Sequence, residues 1–270
     1  PAFFLTRMMG DGTTMKNETT GEDAMVSVEE MSRETSEAQE RVEDCRAQAG
    51  LYHLLGRVLE QEVDAELLAL LRGELGAALV EMGVKLPHDL LSDPVESLLE
   101  RLAVEYTGLF SAPGSVSPFA SVFAPGAFGQ EQCDRAEAAY RAAGFVYERR
   151  QSGEFPDHIG TMLSFVGTLF DIEAAAVESE DEARAETAQT QRETFILDQL
   201  GEWGPGWCRR AAGAAQHPFY AEVLDLVERV LWEDIGRLAG PRRLKELAEA
   251  NGRPLVRMET DPDFRKASGL

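Results

Sequence analysis

From about Val42 to Arg237 the apolar residues recur at steps of three and four, the spacing that gathers one face of an α-helix. No long β-branched run alternates with a period of two. That pattern predicts an all-α fold. The cleanest stripe is Val95, Leu98, Leu99, Leu102, Tyr106, Leu109 and Phe110. It opens after Asp93-Pro94, where aspartate suits an N-cap and proline the first helical position. Glu105 falls about 80° from the stripe centre at about 100° per residue, which places it between core and solvent. A second stripe follows His217-Pro218: Phe219, Tyr220, Val223, Leu224, Val227, Val230 and Leu231. Helices are expected over about 42–61, 64–82, 93–110, 130–143, 156–177, 182–200 and 217–237, with a short one after Gly204-Pro205-Gly206. About eight helices would then build a single helical domain over 41–240, with flexible tails on either side.

The tails differ in charge. Residues 1–40 hold three basic and nine acidic residues without periodicity, and are read as a disordered acidic tail. Residues 241–270 hold seven basic and five acidic residues. They are read as a basic tail, either disordered or carrying one short helix near 242–250. The stretch 1–9 lacks an apolar core with a small-residue cleavage site, so no signal peptide is read there. No apolar run is judged long enough for a membrane span, and no stable membrane insertion is expected.

The helical pattern breaks at Ser111–Gly129, which holds Pro113, Pro118 and Pro125 among three glycines. The same segment carries Val116, Phe119, Val122, Phe123 and Phe128. A loop this aromatic either packs back over the core or lines a groove, and loops of this length are often functional. It is also a plausible hinge for a domain-swapped homodimer.

Composition and motifs exclude the common chemistries. A net charge of −22 opposes nucleic-acid binding, which needs Lys and Arg to displace counterions. Cys45, Cys133 and Cys208 stand far apart, so neither a zinc cage nor a disulfide framework is signalled. His53, His88, His158 and His217 form no metal-binding spacing. Phosphate-binding glycine loops and a nucleophile elbow are absent. No catalytic residue, metal or cofactor is therefore assigned.

One segment carries more information. Glu154-Phe155-Pro156-Asp157-His158-Ile159-Gly160 opens the expected fifth helix. Pro156 suits the first position, and Asp157 in the first turn suits the positive end of the dipole. His158 falls on the same side as Met162, Phe165 and Leu169, an apolar edge. It is either a satisfied edge histidine or a donor and acceptor for a peptide.

Pro156-Asp157-His158-Ile159-Gly160 resembles the signature of the TorD/DmsD/NarJ chaperones, which mature redox enzymes. Glu105-Tyr106-Thr107-Gly108-Leu109-Phe110, with Pro113, Pro118 and Ser121-Val122-Phe123, is similar to a second region of that family. Phe195 to Leu200 with Trp203, Pro205 and Trp207, then Phe219-Tyr220, is similar to a third. The resemblance covers about 49–233. It implies an all-helical cytoplasmic chaperone without catalytic activity. Such a protein binds the N-terminal, often twin-arginine, signal peptide of a molybdenum-cofactor (molybdopterin-dependent) oxidoreductase. It holds the apo form of that enzyme for cofactor insertion before export. Peptide contacts are implied at Asp157 and His158, with Glu154, Pro156 and Glu105 beside them. Tyr106, Phe110, Pro118 and Phe123 would line the neighbouring groove. Met162 stands where many members carry Glu, and Phe123 where many carry Tyr, so the site is more apolar here.

Two other readings stand beside it. The client could be a non-exported nitrate-reductase-type subunit, served by a NarJ-like assembly chaperone. Alternatively, the chain could be a helical enzyme using Asp157 and His158 as an acid–base pair, though adjacent helical residues diverge by about 100°. A transcriptional regulator would need a basic recognition helix, and the basic residues cluster only around Arg242, Arg243 and Lys245.

Overall fold

The computed structural model describes residues 21–112, 115–123, 130–148 and 155–253. Glu154, Pro113, Pro125 and Phe128, and both chain ends beyond these limits, lie outside the described residues. Among the described residues the architecture is all-α, and β-type pairing is limited to one isolated bridge between Phe119 and His158. The chain divides into one compact unit ending at Glu40 and a second formed by Arg41–Leu270.

Helix α1 is Gly21–Glu60. It begins well before the expected Val42, because residues 21–40 are rich in Glu and also carry Ala and Met, all good helix formers even without an apolar stripe. The next expected helix is split at Gly73 into α2 (Ala65–Leu71) and α3 (Glu74–Glu81). Asp64 caps α2 by accepting from the Leu67 N–H at 2.8 Å. Helices α4 (His88–Ser92) and α5 (Val95–Tyr106) follow. Pro94 is the cap of α5 rather than its first residue. The end of α5 widens into a π-helical turn, Thr107–Ser111, that buries Leu109 and Phe110.

Among the described residues of the breaker-rich segment there is one short helix, α6 (Ala120–Phe123), and α7 (Gln130–Ala142) follows. Helix α8 (Ile159–Glu178) is the core of the second unit, with Ile159, Met162, Leu163, Val166 and Leu169 all buried. It is long and apolar enough to cross a membrane by length and composition alone, contrary to the sequence reading. Two thirds (67%) of that apolar stretch is buried within the protein, as expected of a core helix. Then come α9 (Glu182–Phe195), a second π-helical turn (Ile196–Leu200), α10 (Gly204–Ala214) and α11 (Pro218–Leu238).

Helices α1 and α8 pass at near backbone contact. A Cβ on Gly160 would lie 2.8 Å from the Gly56 carbonyl oxygen and 2.8 Å from the Glu60 Cβ. One on Gly56 would lie 2.8 Å from the Gly160 carbonyl oxygen. Glycine at both positions is what permits the crossing. The buried carboxylates around this seam are paired. Glu173 accepts from Arg41 at 3.0 Å and from Arg192 at 2.8 Å, and the Tyr52 hydroxyl donates to Asp234, which Arg237 also contacts.

The chain past residue 240 forms α12 (Pro241–Gly252), which packs on α10 and buries Leu247 and Asn251. Asn251 Oδ1 accepts from Gly206 N–H at 2.7 Å, while its Nδ2 donates to the carbonyls of Gly201 at 2.7 Å and Leu247 at 2.8 Å. Arg243 donates to the Leu197 carbonyl and to Asp198 and Glu202. The expected short helix is therefore present and firmly docked. It answers backbone groups that the π-helical turn leaves without helical partners.

Candidate functional site

The start of α8 is built differently from the sequence expectation. Residues Phe155–His158 form a turn closed by His158 N–H on the Phe155 carbonyl at 3.2 Å. The helix begins only at Ile159, so Pro156 lies before it and not at its first position. His158 is the N-cap: its Nδ1 accepts from Gly160 N–H at 3.1 Å. That bond needs the Nδ1 lone pair, so the proton of the neutral ring sits on Nε2.

Asp157 is 0% exposed. Its Oδ2 accepts from Ser121 N–H at 2.7 Å, its Oδ1 from the Cys133 thiol at 3.3 Å, and its carbonyl from Ala120 N–H at 3.1 Å. The Ile159 N–H donates in turn to the Pro118 carbonyl at 2.9 Å. Asp157 therefore bolts the breaker segment, at the first turn of α6, onto the start of α8. Its carboxylate is spent on these bonds and is not presented to an incoming charge. Burial and the nearby Asp157 carboxylate push the Cys133 thiol up to about 12, so it stays protonated as a donor. Tyr140 completes the clamp, its hydroxyl donating to the Pro156 carbonyl at 2.6 Å.

The clamp leaves an aromatic ledge on the surface. Phe119 meets His158 edge-to-face at 5.1 Å and Phe155 at 5.6 Å, and Phe155 is 41% exposed. Beyond Phe119, Val122 projects at 63% exposure while Phe123 turns inward onto Trp203 at 5.9 Å. At its other end the same segment helps to line an open groove of about 360 Å³. Val104, Glu105, Gly108, Leu109, Val116 and Gln216 are among its walls.

The expected residues divide accordingly. His158 is half-buried on the ledge, and Glu105 is on the groove wall. Glu105 Oε1 accepts from the N–H groups of Gln216 at 2.6 Å and His217 at 3.1 Å, which neutralises the start of α11. Pro118 is buried beneath the ledge. Tyr106 and Phe110 belong to a buried aromatic stack with Tyr220 and Trp207 and do not line the groove. The Tyr106 hydroxyl donates to the Leu59 carbonyl at 3.1 Å, and burial, with Glu60 and Glu62 nearby, pushes its pKa up. Met162 is a core residue. Adjacent Asp157 and His158 do not converge on a common point, since one is buried under the loop and the other caps the helix. Among the described residues no group of three or more His, Cys, Asp or Glu side chains could hold a metal.

Several participants escaped the sequence reading. Ser121, Cys133 and Tyr140 build the clamp, and Phe119 and Phe155 form the ledge. Exposed Glu60 and Glu62 supply carboxylates close to Tyr106, and Glu60 accepts from Thr161 in the first turn of α8 at 2.9 Å. The sequence names Phe119 only as a member of the aromatic loop and Phe155 only as a member of the segment that opens α8. No spacing rule links Tyr140 or Cys133 to Asp157.

The family model of the nitrate reductase delta subunit matches residues 61–209, more than half of the chain and the whole of the clamp. The chain belongs to that family. Chaperone protein TorD of Vibrio vulnificus, from strains YJ016 and CMCP6, is 29% identical to it over 154 residues. That alignment covers 56% of this chain and 69% of each relative. The delta-subunit match takes in α2 to α9 and the start of α10, hence the ledge and the groove walls up to Val116, but not Gln216. It leaves out α11 and α12, which close the aromatic stack and the Asn251 anchor.

Proposed function

We propose that this member of the nitrate reductase delta subunit family is a maturation chaperone. It receives the N-terminal leader of a molybdenum-cofactor oxidoreductase and holds the apoenzyme until the cofactor is inserted. The observation that carries this reading is the clamp, in which a fully buried Asp157 fixes an apolar segment so that Phe119, Phe155 and His158 stand together at the surface. An exposed aromatic ledge beside a groove suits an extended apolar stretch of polypeptide. The carboxylates of Glu60 and Glu62 suit arginines that precede such a stretch. No bond-making chemistry is needed, and the carboxylate and imidazole of the signature are engaged in holding the backbone.

The acidity of the chain is expected to act mainly on encounter, so the association rate with a cationic leader should fall as salt rises. Titration calorimetry with leader peptides of oxidoreductases encoded beside this protein tests the reading. Wild type should bind, Phe119→Ala and Phe155→Ala should weaken binding about tenfold or more, and Glu62→Gln should slow association. His158→Ala should weaken binding while costing about 1 kcal/mol of stability through the lost cap. His158→Asn, which can still cap α8, should keep the stability but not the affinity. Absence of heat with every leader, accompanied by turnover of a small metabolite, would overturn the proposal. The family match also fits a client retained in the cytoplasm, whose N-terminus lacks twin arginines. Identification of the co-purifying partner separates the two.

A further inference from the structure

The described side chains hold one buried indole donor with nothing to donate to. Trp203 is 3% exposed, and its Nε1 has no hydrogen-bond partner. The neighbouring tryptophan is different: Trp207 Nε1 donates to the Ser117 carbonyl at 2.8 Å. A buried N–H left unpaired opposes folding, and tryptophan is usually paired when buried. The Trp203 ring lies between Phe123 at 5.9 Å and Trp207 at 6.2 Å. Phe123 is the last residue of α6, a helix of only four residues that Asp157 grips at its opposite end. The Arg210 guanidinium lies over the Phe123 ring, 5.1 Å from its centroid, and donates to the Arg253 carbonyl at the end of α12 at 2.9 Å.

We propose that Phe123 is a plug and Trp203 the floor of a closed polypeptide subsite. When the client's leader arrives, Phe123 swings away, an apolar side chain of the leader takes its place, and a leader backbone carbonyl accepts from Trp203 Nε1. This deepens the leader-binding reading and rests on it. The unpaired donor lowers the cost of opening, because the closed state has no hydrogen bond there to lose. Arg210 at the mouth repels cations, so the subsite takes the uncharged apolar part of the leader and leaves its arginines to Glu60 and Glu62. The pivot is short, since Asp157 holds Ala120 and Ser121 while Val122 already faces solvent.

Trp203→Phe keeps a ring and deletes the donor. The full-length variant should be as stable as wild type or more so in urea, yet bind a leader peptide about tenfold more weakly. In wild type labelled with 15N, the Trp203 indole resonance, assigned by its absence from W203F, should move downfield on addition of peptide. Phe123→Leu, a smaller plug, should bind faster than wild type. Loss of stability in W203F would mean that the donor is already paired, and would overturn the inference. So would unchanged affinity in W203F while wild type binds, an outcome that leaves the chaperone reading intact. Failure of wild type to bind any leader would instead remove the reading beneath it, and the inference with it.

Discussion

Asp157 shows how a residue's role turns on where its backbone lies. In a first helical turn it would face solvent and soften the dipole. Helix α8 starts at Ile159, three residues later than expected, so the chain makes a tight turn at Phe155–His158 instead, and the carboxylate points inward to Ser121 and Cys133. Replacing it with alanine leaves the half-buried Ser121 N–H without this acceptor, at a cost of about 1–3 kcal/mol. Asp157→Ala should therefore lower the urea midpoint by that amount and free the α6 segment. Faster amide exchange at Ala120 and Ser121, with exchange in the middle of α8 unchanged, is the measurement that checks it. The residue type was legible from the sequence as special. Its partners were not, because they lie 36 and 24 positions away on other elements.

At the scale of elements, helix positions followed from apolar period, and helix ends did not. Two ends widened into π-helical turns, at Thr107–Ser111 and Ile196–Leu200, where burial of Leu109, Phe110, Ile196 and Leu200 outweighs ideal helical spacing. Helices α1 and α8 meet through glycine, so Gly160→Ala should be destabilising although alanine favours helix. The new methyl meets backbone at 2.8 Å and the helices must part, costing about 1–3 kcal/mol in chemical denaturation. On α11 the charge arrangement predicts a pH effect. Burial, followed by Glu222 and Glu228, raises the Asp225 pKa above its ordinary value. A raised carboxylate pKa means that the ionised form opposes folding, a penalty present at neutral pH and relieved as pH falls through that raised pKa. Asp225→Asn should thus melt higher than wild type at pH 7. The gap should close as the pH approaches the ordinary aspartate range near ~3.9.

On the scale of the molecule, α12 is held within the second unit by a buried polar anchor at Asn251 and by Arg243. Asn251 satisfies one N–H and two carbonyls in a buried setting, and nothing apolar of the same size could do so. Asn251→Ala should cost about 2–3 kcal/mol and release α12, seen as a lower urea midpoint together with proteolytic cleavage near residue 240. A basic tail read from composition thus becomes a docked helix. The sequence reading left a short helix near 242–250 or disorder open, and buried Leu247 and Asn251, with Leu244 packed against the core, are what dock the helix. The sequence alone determined the helical class, the break between the fifth and seventh helices, and the short stretch 154–160 that carries the family resemblance. Those features are local, since period, proline and glycine act on their own stretch of backbone. Tertiary structure decided which members of that stretch reach the surface. It sent Asp157, Tyr106, Phe110 and Met162 inward, left Phe119, Phe155 and His158 outside, and added Glu60 from the end of α1. Exposure depends on partners distant in the chain, and only packing brings those partners together.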